Sequence, residues 1–285
     1  MKTHYWRISL FLVWGYIIAG CDIIDFPYKE ATQNTNVFTC TDSSGFSTTR
    51  KVLIEDYTGF KCGNCPEAAD VAKTILHEYP NKVVVIGVHA GAFAKPDNNH
   101  TTDFRTPVGT EWDNFFGVGA AGNPNGMVNR IKWNNEMIVP YTLWRAATEQ
   151  YLANLPYIAG IQLCKQYNET ENKLKVKVDV KYTIKRDTAD FLGVYLIEDS
   201  VVAYQKDYRL INADVPDYVH EHVLRAALNS TWGRPVTNDA SAEIGKIYTN
   251  TFEIAIDPAW RRNHLKVVAF LRNNSTQEII QVEQY

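Results

Sequence analysis

Two cysteines separated by two residues, Cys62-Gly63-Asn64-Cys65, stand where a strand-like run, Lys51 to Tyr57, gives way to a helix-like run, Pro66 to Tyr79. A helix start supplies unpaired amide groups and the positive end of the helix dipole, and both favour a thiolate. On this reading Cys62 is the nucleophile and Cys65, one turn further in, the thiol that resolves a mixed disulfide. Zinc is the competing use of the spacing, but a zinc site needs four ligands and the other cysteines stand alone. We therefore expect a dithiol site with no metal and no cofactor.

The first twenty residues read as an export signal. Lys2 and Arg7 precede an apolar run from Ile8 to Ile18, too short to span a bilayer, and Ala19-Gly20 are small. The following residue, Cys21, completes Ile18-Ala-Gly-Cys21, which resembles the lipobox of bacterial lipoproteins. That resemblance implies acylation of Cys21 and membrane attachment through an N-terminal lipid. Ordinary cleavage that leaves Cys21 as a thiol is the alternative.

Without the two basic residues of the signal, the 29 Lys+Arg of the chain fall to 27 against 32 Asp+Glu. This acidic balance argues against a nucleic-acid partner. Of the five cysteines, Cys40 and Cys164 remain once Cys21 and the Cys62/Cys65 pair are assigned, and in an exported protein they suggest a second, structural disulfide. Whether their sulfurs meet stays open at this stage.

Residues 21–36 lack a clean period and read as a tether, with the first domain expected over 37–156. There, a strand near 51–57, a helix over 66–79 and the continuous apolar run Lys82 to His89 imply a parallel sheet covered on both faces. Residues 90–122, with a short helix near Thr110 to Phe116, look like an insertion over one end of that sheet. A strand over Met127–Ile131 and a helix over Pro140–Leu155 would close the domain. After Pro156 the texture changes to alternation, so an antiparallel β-sandwich is expected over 157–285. It is interrupted at 200–247 by a long loop with a helical candidate, Tyr218 to Leu228.

Val52, Ile54 and Asp56 would share one face of the first strand, so burial of the two aliphatic side chains would bury the carboxylate and raise its pKa. Asp56 is then a candidate proton acceptor. The alternative has Asp56 capping a turn with Glu55 on the exposed face. His89 ends an apolar strand and reads as structural, as do His220 and His222, which lack an evident third metal ligand.

These elements resemble thioredoxin-like domains. The resemblance implies that Cys62 and Cys65 are nucleophile and resolving thiol, that Asp56 assists deprotonation of the second cysteine, and that Pro124 matches the cis-proline whose loop holds the substrate chain. Lys61 stands where thioredoxins usually carry tryptophan, which alters the substrate-docking surface while favouring the neighbouring thiolate. Longer stretches, among them Val52 to Ala69, Val88 to Phe93, Thr102 to Pro107, Asn123 to Arg130 and His222 to Gly233, resemble the outer membrane protein 28-related lipoproteins of Bacteroidota-type bacteria. That resemblance implies a thioredoxin-like domain followed by a β-sandwich in a lipid-anchored protein of the cell envelope.

Two functions fit. One is thiol-disulfide exchange with envelope protein thiols or disulfides. The other is a surface binding or adhesion lipoprotein with a static Cys62–Cys65 disulfide, whose ligand would meet Tyr204, Tyr208, Tyr218 and Trp232 in the 200–247 segment; the alternative use of these aromatics is to plug the end of the sandwich or the domain interface.

Overall fold

Val52–Thr58 forms strand β1 and the Val/Ile-rich run Val83–His89 forms β2, paired in parallel from Val52↔Val83 to Thr58↔His89. The computed structural model describes residues 43–188, 190–238 and 241–285. The expected export signal, Cys21, the tether and Cys40 lie outside the described residues. Between β1 and β2 runs helix α1 (Cys65–Glu78), which buries Ala68, Ala72 and Ile75 against the sheet. After β2 come the short α2 (Gly91–Ala94), α3 (Pro107–Phe116) and α4 (Val118–Ala121). Thr106 caps α3 by accepting from the Gly109 amide. Strands β3 (Asn125–Val128) and β4 (Val139–Pro140) and helix α5 (Trp144–Asn154) follow.

The rest of the chain is β-rich. Strands β5 (Ala159–Asn168), β6 (Lys173–Tyr182) and β12 (Ile247–Ala255) make a three-stranded antiparallel sheet. Strands β7 (Asp190–Glu198), β13 (Leu265–Asn273) and β14 (Ile279–Gln284) belong to a larger sheet, with β10 (Val223–Ala227) and the two-residue β11 (Arg234–Pro235). The order is β14-β13-β7-β10-β2-β1-β3-β4. A separate hairpin joins β8 (Val201–Lys206) to β9 (Asp214–His220).

The expected boundary at 156 marks a change of texture without a break in the sheet. Strand β10 pairs with β7 on one side and joins β2 on the other, where the Gly87 amide donates to the His222 carbonyl at 2.8 Å. The period of β7 makes this possible. Leu192, Val194 and Leu196 face the three-stranded sheet, whereas Tyr195 and Ile197 face a core that also holds Leu53, Tyr57, Ile86 and Trp112. Trp112 of α3 is wholly buried there, so the 90–122 segment packs onto a face of the sheet and not merely over its end. The 200–247 segment is likewise not a loop with a helix: Tyr218 to Leu228 spans the end of β9, a two-residue turn and β10. Its strands were hard to see because Pro216 and Arg225 interrupt alternation. Among the described residues no helix is long and apolar enough to cross a membrane.

Candidate functional site

Cys62 and Cys65 form a disulfide with their Cα atoms 5.4 Å apart. Helix α1 begins at Cys65, with Pro66 in its first turn, and the Cys65 amide donates to the Cys62 carbonyl at 3.2 Å. The motif is therefore held at the helix start, but neither sulfur-bearing residue is open to solvent: Cys62 is 3% exposed and Cys65 2%.

Asp56 lies on β1 on the side of α1, with glycine opposite it on both neighbouring strands, Gly87 on β2 and Gly126 on β3. It is 6% exposed, and its Oδ1 has no hydrogen-bond partner among the described residues. Burial without a compensating charge pushes its carboxyl up to about 7. Asp56 and Cys65 line one cavity of ≈ 510 Å³, bounded by Pro66 and Ala72 of α1, by Gly87 and His89 of β2, and by Gln205, Tyr218 and His220 from the hairpin.

Two histidines of this cavity, His89 and His220, are neutral. Burial, with His220 and Arg225 adding to it, holds His89 well below its usual range, and burial lowers His220 to about 4. Their rings meet edge to face at 5.5 Å, with Phe104 packed against both. His222 leaves this cluster and lies 3.0 Å from Asp199. Among the described residues no group of three or more His, Cys, Asp or Glu side chains is arranged to hold a metal ion.

Lys61 turns its ammonium to Asp97 at 3.8 Å and over the Phe60 ring at 5.5 Å. Pro124 follows a cis peptide bond and precedes β3, whose Asn125 pairs with Tyr57, so its loop lies at the same end of the sheet as the disulfide. Cys164 is buried and disulfide-bonded. The expected pairing with Cys40 and the acylation of Cys21 fall on residues outside those described.

Sequence reasoning missed two parts of the site. Glu55, on the opposite face of β1, is buried and makes a double hydrogen bond to Arg130 at 2.8 and 2.7 Å. The Arg130 guanidinium also packs over the rings of Trp112 and Phe116, each at 4.9 Å. The second is the cover over the disulfide. Gln205 donates from Nε2 to the Cys62 carbonyl at 2.9 Å, the Lys206 amide to the Phe60 carbonyl at 2.8 Å, and the Tyr208 amide to the Gly63 carbonyl at 2.9 Å. These partners are some 140 positions apart in the chain, so no local signal announces them.

Of the four aromatic side chains singled out in 200–247, Tyr208 is 62% exposed. Tyr204, Tyr218 and Trp232 are half buried, Tyr204 stacked on His100 at 3.8 Å and Trp232 against Phe115 at 4.8 Å.

A search of curated proteins finds no match. Among solved structures the chain is similar to HBP35 of Porphyromonas gingivalis, with a TM-score of 0.58 and 18% identity over 84% of this chain and 76% of that one. A protein of Agrobacterium tumefaciens matches with a TM-score of 0.49 and 12% identity over 84% of this chain and 95% of the other. A domain of the outer membrane lipoprotein Omp28 of Porphyromonas gingivalis matches with a TM-score of 0.30 and 24% identity over 46% of this chain and 89% of that domain. The first likeness establishes a shared fold. The model of the family described as outer membrane protein Omp28 matches residues 111–285, more than half of the chain, and the chain belongs to this outer membrane lipoprotein family of the bacterial envelope.

Proposed function

We propose that β1 to α5 is a thioredoxin-like module whose Cys62–Cys65 disulfide exchanges with thiols and disulfides of the envelope. The observation that carries this reading is Asp56, a buried carboxyl brought up to about 7 in the cavity that Cys65 lines. A group that titrates near neutral pH can give a proton to a departing thiolate and take it back, whereas an ordinary solvent-exposed aspartate cannot. The helix-start position of the pair and the Pro124 loop at the same end of the sheet support the reading. Acylated Cys21 would tether the module to the membrane.

The test is the Cys62–Cys65 reduction potential, read by alkylation and mass after equilibration in glutathione buffers. A reversible two-electron titration of folded protein is the expected result. A disulfide that stays intact until the protein unfolds would leave the second reading, in which the pair is static and the fold a scaffold for surface binding. The burial of both cysteines, with residues 205–208 bonded to 60–63, favours that alternative. For the tether, labelled palmitate should enter the wild type and not Cys21→Ala; membrane retention of Cys21→Ala without label would contradict an acyl anchor.

A further inference from the structure

The disulfide has two sides, and they differ. On the outside, residues 205–208 form backbone and side-chain hydrogen bonds to 60–63, and the Tyr208 ring packs so closely on Gly63 that an added Cβ would meet it at 2.4 Å. Arg209 fastens this cover to α1 through Asp70 at 2.6 Å and is itself held by Asp207 at 2.7 Å. A protein chain seeking Cys62 meets this segment first. On the inside is the ≈ 510 Å³ cavity, which reaches Cys65 and not Cys62 and whose rim includes the exposed Asp70, Lys73 and Glu221. Its size is that of sites for small molecules, about 300–1,000 Å³, and not of a surface that seats a folded partner.

We infer that this cavity is the reactant site of the disulfide: low-molecular-mass thiols enter it and attack Cys65, while residues 205–208 keep protein thiols from Cys62. The inference rests on the exchange reading above and names its substrate class and the sulfur attacked.

The chemistry runs in the same direction as the access. Exchange is faster when the sulfur that leaves is the better thiolate, and Cys62 stands just ahead of the first turn of α1, where free amides favour a thiolate. A thiolate RS⁻ in the cavity forms a bond to the Cys65 sulfur, the Cys62–Cys65 bond breaks, and Cys62 departs as thiolate. A second RS⁻ then attacks the sulfur of the bound R group, forming RSSR and releasing Cys65 as thiolate, which takes the proton held by Asp56. Two thiolates are oxidised to one disulfide, and the protein disulfide is reduced to a Cys62 thiolate and a Cys65 thiol, with Asp56 left ionised. His89 and His220, both neutral, do not compete with Cys65 for the Asp56 proton, and the one lysine of the lining, Lys73, is exposed at the rim.

Free cysteine and reduced, unfolded ribonuclease are the probes. Oxidised protein mixed with free cysteine, quenched in acid early and mapped by mass, should carry cysteine on Cys65 with Cys62 free. Cysteine found on Cys62 would overturn the inference. Ala69→Trp, which fills the rim from α1, should slow reduction by free cysteine at least tenfold while leaving the equilibrium potential unchanged. Tyr208→Ala should speed reduction by the ribonuclease thiols at least tenfold and change the rate with free cysteine less than twofold. Equal rates for the two probes with the wild type, or an Ala69→Trp rate equal to wild type, would count against the cavity route alone. If neither probe reduces the disulfide of the folded protein, the exchange reading itself falls; the mapping arm needs no substitution and stands even where Ala69→Trp fails to fold.

Discussion

Glu55 and Asp56 are neighbours on β1 and both are buried, yet the two faces they look into treat a carboxylate in opposite ways. On the Glu55 face Arg130 supplies a charge and two hydrogen bonds, and aromatic rings close around the guanidinium. On the Asp56 face no cation pairs with the carboxylate among the described residues, one carboxylate oxygen lacks a partner there, and space remains next to it. The first arrangement is an ion pair in which both Glu55 carboxylate oxygens accept from Arg130, and it holds β3's exit turn to the sheet. The second leaves the cost of burial unmet in the cavity that Cys65 also lines. Burial alone therefore does not mark a reactive carboxyl; burial without a partner does.

The comparison is broken most forcefully at Arg130. Arg130→Ala leaves Glu55 buried and unpaired and should cost about 3–5 kcal/mol in chemical denaturation. A loss below about 1 kcal/mol would mean that the Glu55 face tolerates a bare carboxylate as the Asp56 face does. Asp56→Asn should act in the opposite direction. Because the folded-state pKa is raised above the ordinary value, the folded protein keeps a proton that the unfolded chain has already lost, and stability falls as pH rises from about 4 through about 7. Removing the carboxylate should stabilise the protein at pH 8 by up to about 4 kcal/mol, together with a slower thiol exchange. No gain at pH 8 would place Asp56 with the satisfied groups.

The histidines sharpen the picture at lower pH. His220 has a depressed folded-state pKa, so the unfolded chain takes the proton first and stability is lost as pH falls from about 6.5 toward 4. In an Asp56→Asn background, where the opposing slope is gone, His220 should account for about 2 kcal/mol of the stability lost between pH 7 and pH 5, and His220→Gln should remove that share and leave the loss of the same sign from His89. The smallest effect belongs to the cover. Tyr208 is mostly exposed, so Tyr208→Ala should change stability by only about 0.5 kcal/mol. A loss of several kcal/mol would make the cover part of the core.

The half of the site that could be read from the chain is the half built from neighbours. The apolar run before Cys62, the Pro66 start of α1 and the shared face of Val52, Ile54 and Asp56 all follow from local pattern, and each lies where that pattern implies. Glu55 escaped the same logic because β1 is buried on both faces, so alternation no longer separates inside from outside. Strands β8 to β10 escaped it because Pro216, Arg225 and half-exposed positions blur their period, and β14 because it buries Gln281 and Glu283. Those two side chains are bound at long range: Gln281 donates to the Thr49 and Ala159 carbonyls, each at 2.9 Å, and Glu283 pairs with Lys51 at 2.5 Å.

A dithiol at a helix start, a carboxyl on the buried side of the preceding strand and a proline ahead of the next one are consequences of spacing, because 3.6-residue and 2-residue periods decide which side chains share a face wherever the strand or helix sits. Which side of the disulfide is open is a different kind of fact. It depends on Gln205 and Tyr208 reaching back to Cys62 and Gly63, and on β10 carrying the second half of the chain into the first sheet at Gly87. Such contacts join residues that no local period connects, and they form only when the whole sheet has closed, so the cover over Cys62 and the cavity beneath Cys65 exist only in the tertiary structure.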